Sequence, residues 1–199
     1  MSSLFYCPYL NSCVSLHPEK EIIKMSDKKK ITFDVLIEIP KGSRNKYEYD
    51  FVLNKIRFDR MLFSSMMYPG DYGFIPETLA LDGDPLDVLV MGTEPTFPMC
   101  VMEVKPIGVF HMADEKGPDE KIICVPVSDP IWSQKNDISD LNPHRLKEIT
   151  HFFEVYKDLE EKKVDVGGWG NRDEAIEIVS QCIERHDKSE HKKNRTFTI

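Results

Sequence analysis

The 199-residue sequence lacks the motifs that would announce a nucleotide fold or a soft-metal site. Neither Walker A nor G-x-G-x-x-G occurs, so nothing supports a glycine-rich cradle for nucleotide phosphates. The five cysteines, Cys7, Cys13, Cys100, Cys124 and Cys182, form no C-x-x-C pair. Their odd number and wide spacing argue against a structural zinc site and against a disulfide framework, and suit a reducing compartment such as the cytoplasm. Cys100, Cys124 and Cys182 lie in apolar context and read as core. His111, His144 and His151 give no H-x-x-x-H spacing, and no Ser or Cys sits in a nucleophile motif beside them. No stretch approaches the roughly 20 apolar residues of a membrane-spanning helix.

What is present is the composition of a globular chain, 41% apolar and 30% charged, long enough for one ordinary domain. The formal charge is −8, but both ends are basic, so residues 31–187 carry −13. A body that acidic repels nucleic acid and anionic membrane. If it handles a phosphate compound, a cation must mediate, and a divalent metal is the obvious candidate. Residues 1–30 lack the pattern of a secretory or transit signal and read as a loosely ordered extension, with Met25 as a candidate natural start. Residues 31–187 read as the domain, and 188–199 as a basic C-terminal tail.

Periodicity predicts strands first and helices later. ITFDVLIEIP alternates from Ile31 to Ile39 and stops at Pro40; KYEYDFVL alternates from Lys46, with Glu48 and Asp50 opposite Tyr47, Tyr49 and Phe51. Apolar runs follow at 87–91, 101–112 and 121–127, the last two reading as a hairpin with the charged tip DEKGPDE. Asn142-Pro143 predicts a helix start, with Leu146, Ile149, Phe152, Phe153, Tyr156 and Leu159 at helical spacing. A second helix is expected from Asn171, with Glu174 completing a capping box and Ala175, Ile176, Val179, Cys182 and Ile183 buried. This order implies an α+β fold, mainly β: a mostly antiparallel sheet or barrel with mostly C-terminal helices packed outside.

The densest chemistry is Asp82-Gly83-Asp84-Pro85-Leu86-Asp87, running into the apolar strand Val88-Leu89-Val90. Three carboxylates in six residues repel one another unless a cation or protons neutralise them. Oxygen ligands at such spacing suit hard cations such as Mg²⁺ or Ca²⁺. The competing reading is a solvated acidic turn; an EF-hand fails because Leu86, Asp87 and Thr93 stand where its ligands and glycine belong. Asp114 and Asp119, in the hairpin tip, offer further carboxylates or simply a wet turn, and Lys121 enters the next strand. Glu38, Lys46 and Glu48 are polar residues on otherwise apolar strands, either facing water or facing a ligand. Arg60 lies among Phe58, Met61, Leu62 and Phe63, where a guanidinium requires an anionic partner. Tyr68 and Tyr72 sit in the Gly/Pro-rich MMYPGDYGF, as phenol donors or as core. Tyr156 is in phase with the helical stripe and Lys157 is one step off it.

Those residues carry a resemblance. D-G-D-P-L-D-V resembles the signature of the soluble, Mg²⁺-dependent inorganic pyrophosphatases, and the likeness extends through IEIPKGSRNKYEYD, FDRMLFSSMMYPGDYGFIPETLALDGDPLDVLV, DEKGPDEKI and HFFEVYKDLE in family order, over about residues 31 to 170. It implies a compact five-stranded OB-type β-barrel with helices outside. It implies hydrolysis of inorganic pyrophosphate by a metal-activated water, with Asp84 as general base. Asp82, Asp87, Asp119 and Asp114 are then expected as metal ligands, and Glu38 and Glu48 as carboxylates holding metal through water. Lys46, Arg60, Tyr72, Lys121, Tyr156 and Lys157 are expected to grip the phosphates, with Tyr68 nearby. The implied cofactor is Mg²⁺, several per site, with Mn²⁺ or Zn²⁺ as substitutes. The implied assembly is a homo-oligomer, hexamer or dimer, without nucleic acid or membrane. The alternative is a non-catalytic OB-type module that binds divalent metal or nucleic acid.

Overall fold

A computed structural model describes residues 31–115 and 117–196, with side chains to Ser189. The expectations for residues 1–30, including the Met25 start, lie outside the described residues. Strand β1 (Phe33–Ile39) follows the period-2 reading: Val35, Ile37 and Ile39 are fully buried. It pairs antiparallel with β4 (Asp71–Phe74) on one side and with β6 (Val101–Asp114) on the other. From β4 the sheet runs to β5 (Asp87–Val90), then parallel to β8 (Lys121–Pro126), then back to β6, which closes on β1. The result is the expected five-stranded barrel, closed but uneven. The two-residue β7 (Gly117–Pro118) and β9 (Asp165–Gly170) attach along β6.

Closure needs close approach at one point in particular. A Cβ on Gly73 would lie 2.0 Å from the Leu36 carbonyl oxygen, so only glycine lets β4 lie against β1. β2 (Asn45–Asp50) and β3 (Lys55–Met61) form a separate two-stranded hairpin beside the barrel. The alternation that suggested a strand through Leu53 breaks at Asp50, whose carboxylate accepts the backbone N–H groups of Val52 (3.0 Å) and Leu53 (2.9 Å) and folds the turn. Three strands carried no clear signal in the sequence. β3 intersperses Arg57, Asp59 and Arg60 among its apolar residues, β4 reads as a Gly/Pro loop, and β9 is half glycine.

Helix α1 (Pro143–Val155) starts as expected, with the Asn142 side chain accepting from the His144 N–H and Pro143 opening the helix. Ile149, Phe152 and Phe153 pack against Phe110, Tyr68 and Tyr72 in one core cluster. Leu159, expected on the same stripe, is exposed because α1 ends at Val155 and a 3-10 turn follows. Helix α2 (Arg172–Thr196) buries Ala175, Ile176, Val179 and Cys182, with Ile183 at the margin. Its Glu174 N–H donates to the Asn171 side chain at 3.0 Å, while the Glu174 carboxylate turns to His111. The helix continues to Thr196, through most of the basic segment expected as a tail. Arg185 donates to the Leu79 carbonyl (2.9 Å) and the Leu79 N–H donates to the Cys182 carbonyl (3.0 Å), which fastens α2 to the segment leading into the acidic turn. No described helix is long and apolar enough to cross a membrane.

Candidate active site

The acidic turn is built by its backbone. Gly83 has φ +95°, the left-handed region that glycine adopts without a Cβ penalty. The Ala80 N–H donates to the Asp84 carbonyl (2.8 Å), and the Asp84 N–H donates to the Asp82 carboxylate (3.1 Å). Leu86 is buried, and its N–H donates to the buried Thr78 hydroxyl at 2.9 Å. Asp82 and Asp84 are thereby held at the surface while Asp87 enters β5.

β5 runs parallel to β8 with Val88 opposite Ile122, which brings Asp87 beside Lys121. Lys121 is 2% exposed, and its ammonium donates to Asp87 at 2.5 Å and also to Asp119. The buried Tyr72 phenol donates to the same Asp87 oxygen at 2.6 Å. Burial alone would lower the Lys121 pKa, but the charges of Asp87 and Asp119 outweigh it and hold the ammonium protonated well past neutral pH. The Tyr72 phenol is pushed well above its ordinary value by burial, reinforced by Asp87, so it remains a donor.

The β2–β3 hairpin forms a second wall. Cross-strand register sets Lys46 opposite Arg60. Lys46 pairs with Glu48 and with Asp59 (3.1 Å), and Arg60 pairs with Asp59 and with Glu160. A third wall comes from the end of α1: Tyr156 is buried, and the Lys157 ammonium lies 3.0 Å from Asp114 and 5.3 Å from the Tyr156 ring centroid. Glu38, on β1, accepts the Tyr49 N–H at 2.6 Å and so links barrel to hairpin.

All thirteen candidate residues named from the sequence line one cleft of about 560 Å³: Glu38, Lys46, Glu48, Arg60, Tyr72, Asp82, Asp84, Asp87, Asp114, Asp119, Lys121, Tyr156 and Lys157. Tyr68 does not; it packs beneath, its ring 5.4 Å from Tyr72 and 5.0 Å from Phe152, so the core reading holds. Asp59, Phe51, Phe74, Glu115 and Lys162 join the lining without having been singled out. Nine acids face five basic groups there, so the cleft is net negative among the described residues. A multiply charged anion enters such a cleft only with cations. The donors are all hard oxygens, which fits Mg²⁺ by donor chemistry. Among the described residues no three acids converge as a ready cage, and several of these acids rest on lysines.

Glu38 gives a testable pH dependence. Burial, aided by the Asp87 charge and opposed by the Tyr49 N–H, raises its pKa from 4.5 to about 7. The folded protein then holds a proton that the unfolded chain has released, so metal-free stability falls as pH rises from about 4.5 through 7, by up to about 3 kcal/mol. Urea unfolding in chelator across that range is expected to show the fall in the wild type and a flatter profile in Glu38→Gln. Equal slopes in both proteins would refute the assignment.

An OB-type barrel whose cleft sets lysines, an arginine and phenols among crowded carboxylates belongs to the class of proteins equipped to handle a polyanion together with hard cations. The comparisons with known proteins narrow that class. The family model described as inorganic pyrophosphatase matches residues 35–187. The inorganic pyrophosphatase of Methanosarcina acetivorans is 59% identical over 152 residues, covering 76% of this chain and 90% of the relative. That of Methanosarcina mazei is 56% identical over 161 residues, covering 81% and 95%. Among solved structures, the inorganic pyrophosphatase of Thermus thermophilus superposes with TM-score 0.78 at 47% identity, covering 83% of this chain and 97% of that one. That of Helicobacter pylori gives TM-score 0.77 at 42% identity, covering 78% and 94%. The chain belongs to the inorganic pyrophosphatase family.

Proposed function

We propose that the cleft hydrolyses inorganic pyrophosphate to two phosphates, with Asp84 as the general base and the surrounding lysines, arginine and phenols as the phosphate grip. The observation that carries this reading is the interleaving of cations with carboxylates around one cavity: a metal buffer needs no Lys46, Arg60 or Lys121 there. Asp82, Asp87, Asp119 and Asp114 would hold divalent cations, Mg²⁺ first, with Glu38 and Glu48 reaching them through water. When bound, those cations offset the negative cleft and lower the pKa of water near the substrate. Asp84, exposed at the tip of a rigid turn, accepts the proton that the attacking water gives up. Lys46 and Arg60 from the hairpin and Lys121, Tyr156 and Lys157 from the barrel and α1 bind the phosphate oxygens. They oppose the charge that builds on the departing phosphate, since phosphoryl transfer depends on positioning and electrostatics. The Tyr72 phenol, expected on a phosphate, donates instead to Asp87 and keeps that carboxylate aimed into the cleft.

The acids that would hold metal are the same groups on which the cations rest: Lys121 on Asp87 and Asp119, Lys157 on Asp114, Lys46 on Glu48. Metal loading therefore releases ammonium groups for the substrate, and anion binding follows cation binding. A cytoplasmic homo-oligomer, hexamer or dimer, completes the proposal. The exposed Phe58, Met61, Phe63 and Met67 on and after β3 favour self-association, and the acidic body disfavours nucleic acid and membrane.

The test is phosphate release from pyrophosphate by the purified protein, with Mg²⁺ and with chelator, against ATP and a phosphomonoester. Fast release confined to pyrophosphate and dependent on the metal is expected. A folded protein that releases no phosphate with Mg²⁺, Mn²⁺ or Zn²⁺ would favour the alternative, a non-catalytic binding module.

A further inference from the structure

Arg60 and Lys157 belong to different parts of the fold, one to the β2–β3 hairpin and one to the end of α1, yet both serve the same small anion in the proposed reaction. Glu160 joins them. Its carboxylate takes the Arg60 guanidinium side-on, Nε donating to Oε1 at 3.0 Å and Nη2 lying 2.8 Å from Oε2, across 100 positions of sequence. The Glu160 side chain is 6% exposed, so water competes weakly for the pair. Glu160 also sits in the tight turn that follows Lys157: its N–H donates to the Lys157 carbonyl at 2.9 Å. Glu161 closes that turn in the left-handed region, at φ 58°. The backbone of Glu160 is therefore fixed against that of Lys157, and its carboxylate ties Arg60 to the same turn.

We infer that Glu160 is a positioning residue that sets the distance between the two phosphate-binding walls and selects which edge of Arg60 faces the substrate. A guanidinium has five N–H donors in a rigid fork. Two of them, on Nε and Nη2, are taken by Glu160, so the end formed by Nη1 and the outer Nη2 hydrogen is left to turn toward the cleft. Nη1 pairs with Asp59, which itself lines the cleft. The hairpin is a two-stranded sheet outside the barrel, and such a unit has little rigidity of its own. A bidentate ion pair largely shielded from water adds a tie to the body of the protein beside the one that Glu38 makes with the Tyr49 N–H, and a misplacement near 1 Å at a binding group costs heavily in rate.

This inference rests on Arg60 binding a phosphate, and a double-mutant cycle separates the two claims. Pyrophosphate kinetics with saturating Mg²⁺ are measured for wild type, Glu160→Gln, Arg60→Ala and the double variant, with the inhibition constant of inorganic phosphate as a second readout. Glu160→Gln is expected to lower kcat/KM by about 10- to 100-fold, chiefly through KM, and to weaken phosphate inhibition in parallel. In the Arg60→Ala background the same change is expected to cost less than about 2-fold, because Glu160 acts through Arg60. An equal loss in both backgrounds would show a merely structural role and overturn the inference, as would an unaltered Glu160→Gln enzyme. An Arg60→Ala enzyme with wild-type kinetics would overturn the phosphate role of Arg60 itself. Glu160→Met, which keeps the side-chain bulk without the charge, runs through the same cycle if the glutamine variant does not fold.

Discussion

Asp84→Asn is expected to fold, to bind divalent metal within a few-fold of the wild type, and to lose about 10²- to 10⁴-fold in turnover. The turn that presents Asp84 is held by groups the substitution leaves in place. The Ala80 N–H meets the Asp84 backbone carbonyl, the Asp84 backbone N–H meets Asp82, and Leu86 is anchored on Thr78. An amide has the shape of a carboxylate but cannot take up a proton, so the change removes the base while keeping the size of the side chain. Asp82 and Asp87, on either side, keep their charges. The measurement is kcat beside Mg²⁺ affinity by calorimetry and thermal unfolding of the same preparations. Wild-type turnover would remove Asp84 from the role of base. Turnover and metal affinity falling together, by the same factor, would make Asp84 a ligand instead.

How much of this was legible in the sequence depends on whether a feature is local. The turn 82–87 was readable because its pieces are neighbours: a glycine for the positive φ, a proline fixing the chain, and an apolar strand as anchor. The α1 start was readable for the same reason, with cap and proline adjacent at 142 and 143. The barrel's closure was not. It depends on β4, four residues long and containing Gly73, whose missing Cβ matters only once Leu36 lies against it. β9, with the sequence DVGGWG, takes its strand character from pairing with β6 and not from its own propensity. The candidate residues stand out as charged and phenolic side chains among apolar segments, their roles follow from the resemblance, and the barrel brings thirteen of them to one cleft. Partner choice stayed hidden even so. Arg60 visibly required an anion, and two were found: Asp59 next to it in the chain, and Glu160 a hundred residues away, which no spacing rule connects to it.

Lys121 tests the electrostatic design at its most buried point. Lys121→Met keeps the length and volume of the side chain and removes its charge, leaving Asp87 and Asp119 facing each other without a cation. Breaking one side of a buried pair typically costs about 3 to 5 kcal/mol, and a loss of that size is expected in chelator. Asp119, whose pKa burial already raises, takes up a proton as pH falls, and that relieves the repulsion. The deficit relative to wild type is therefore expected to shrink as pH falls through the carboxylate range and to be fully present at neutral pH. Mg²⁺ offers a second route to the same relief, because a divalent cation can take the place the ammonium has left. The variant is thus expected to gain more stability from Mg²⁺ than the wild type does, the wild-type ammonium having to be displaced first. Activity does not follow stability, since the metal restores the charge balance of the acids but not the phosphate contact that Lys121 supplies. Urea unfolding at matched pH, with chelator and with Mg²⁺, reads the first effect, and pyrophosphate turnover of the Mg²⁺-loaded variant reads the second. If Mg²⁺ stabilises both proteins equally, Asp87 and Asp119 do not take metal, and the exchange of ammonium for cation at this end of the cleft is excluded.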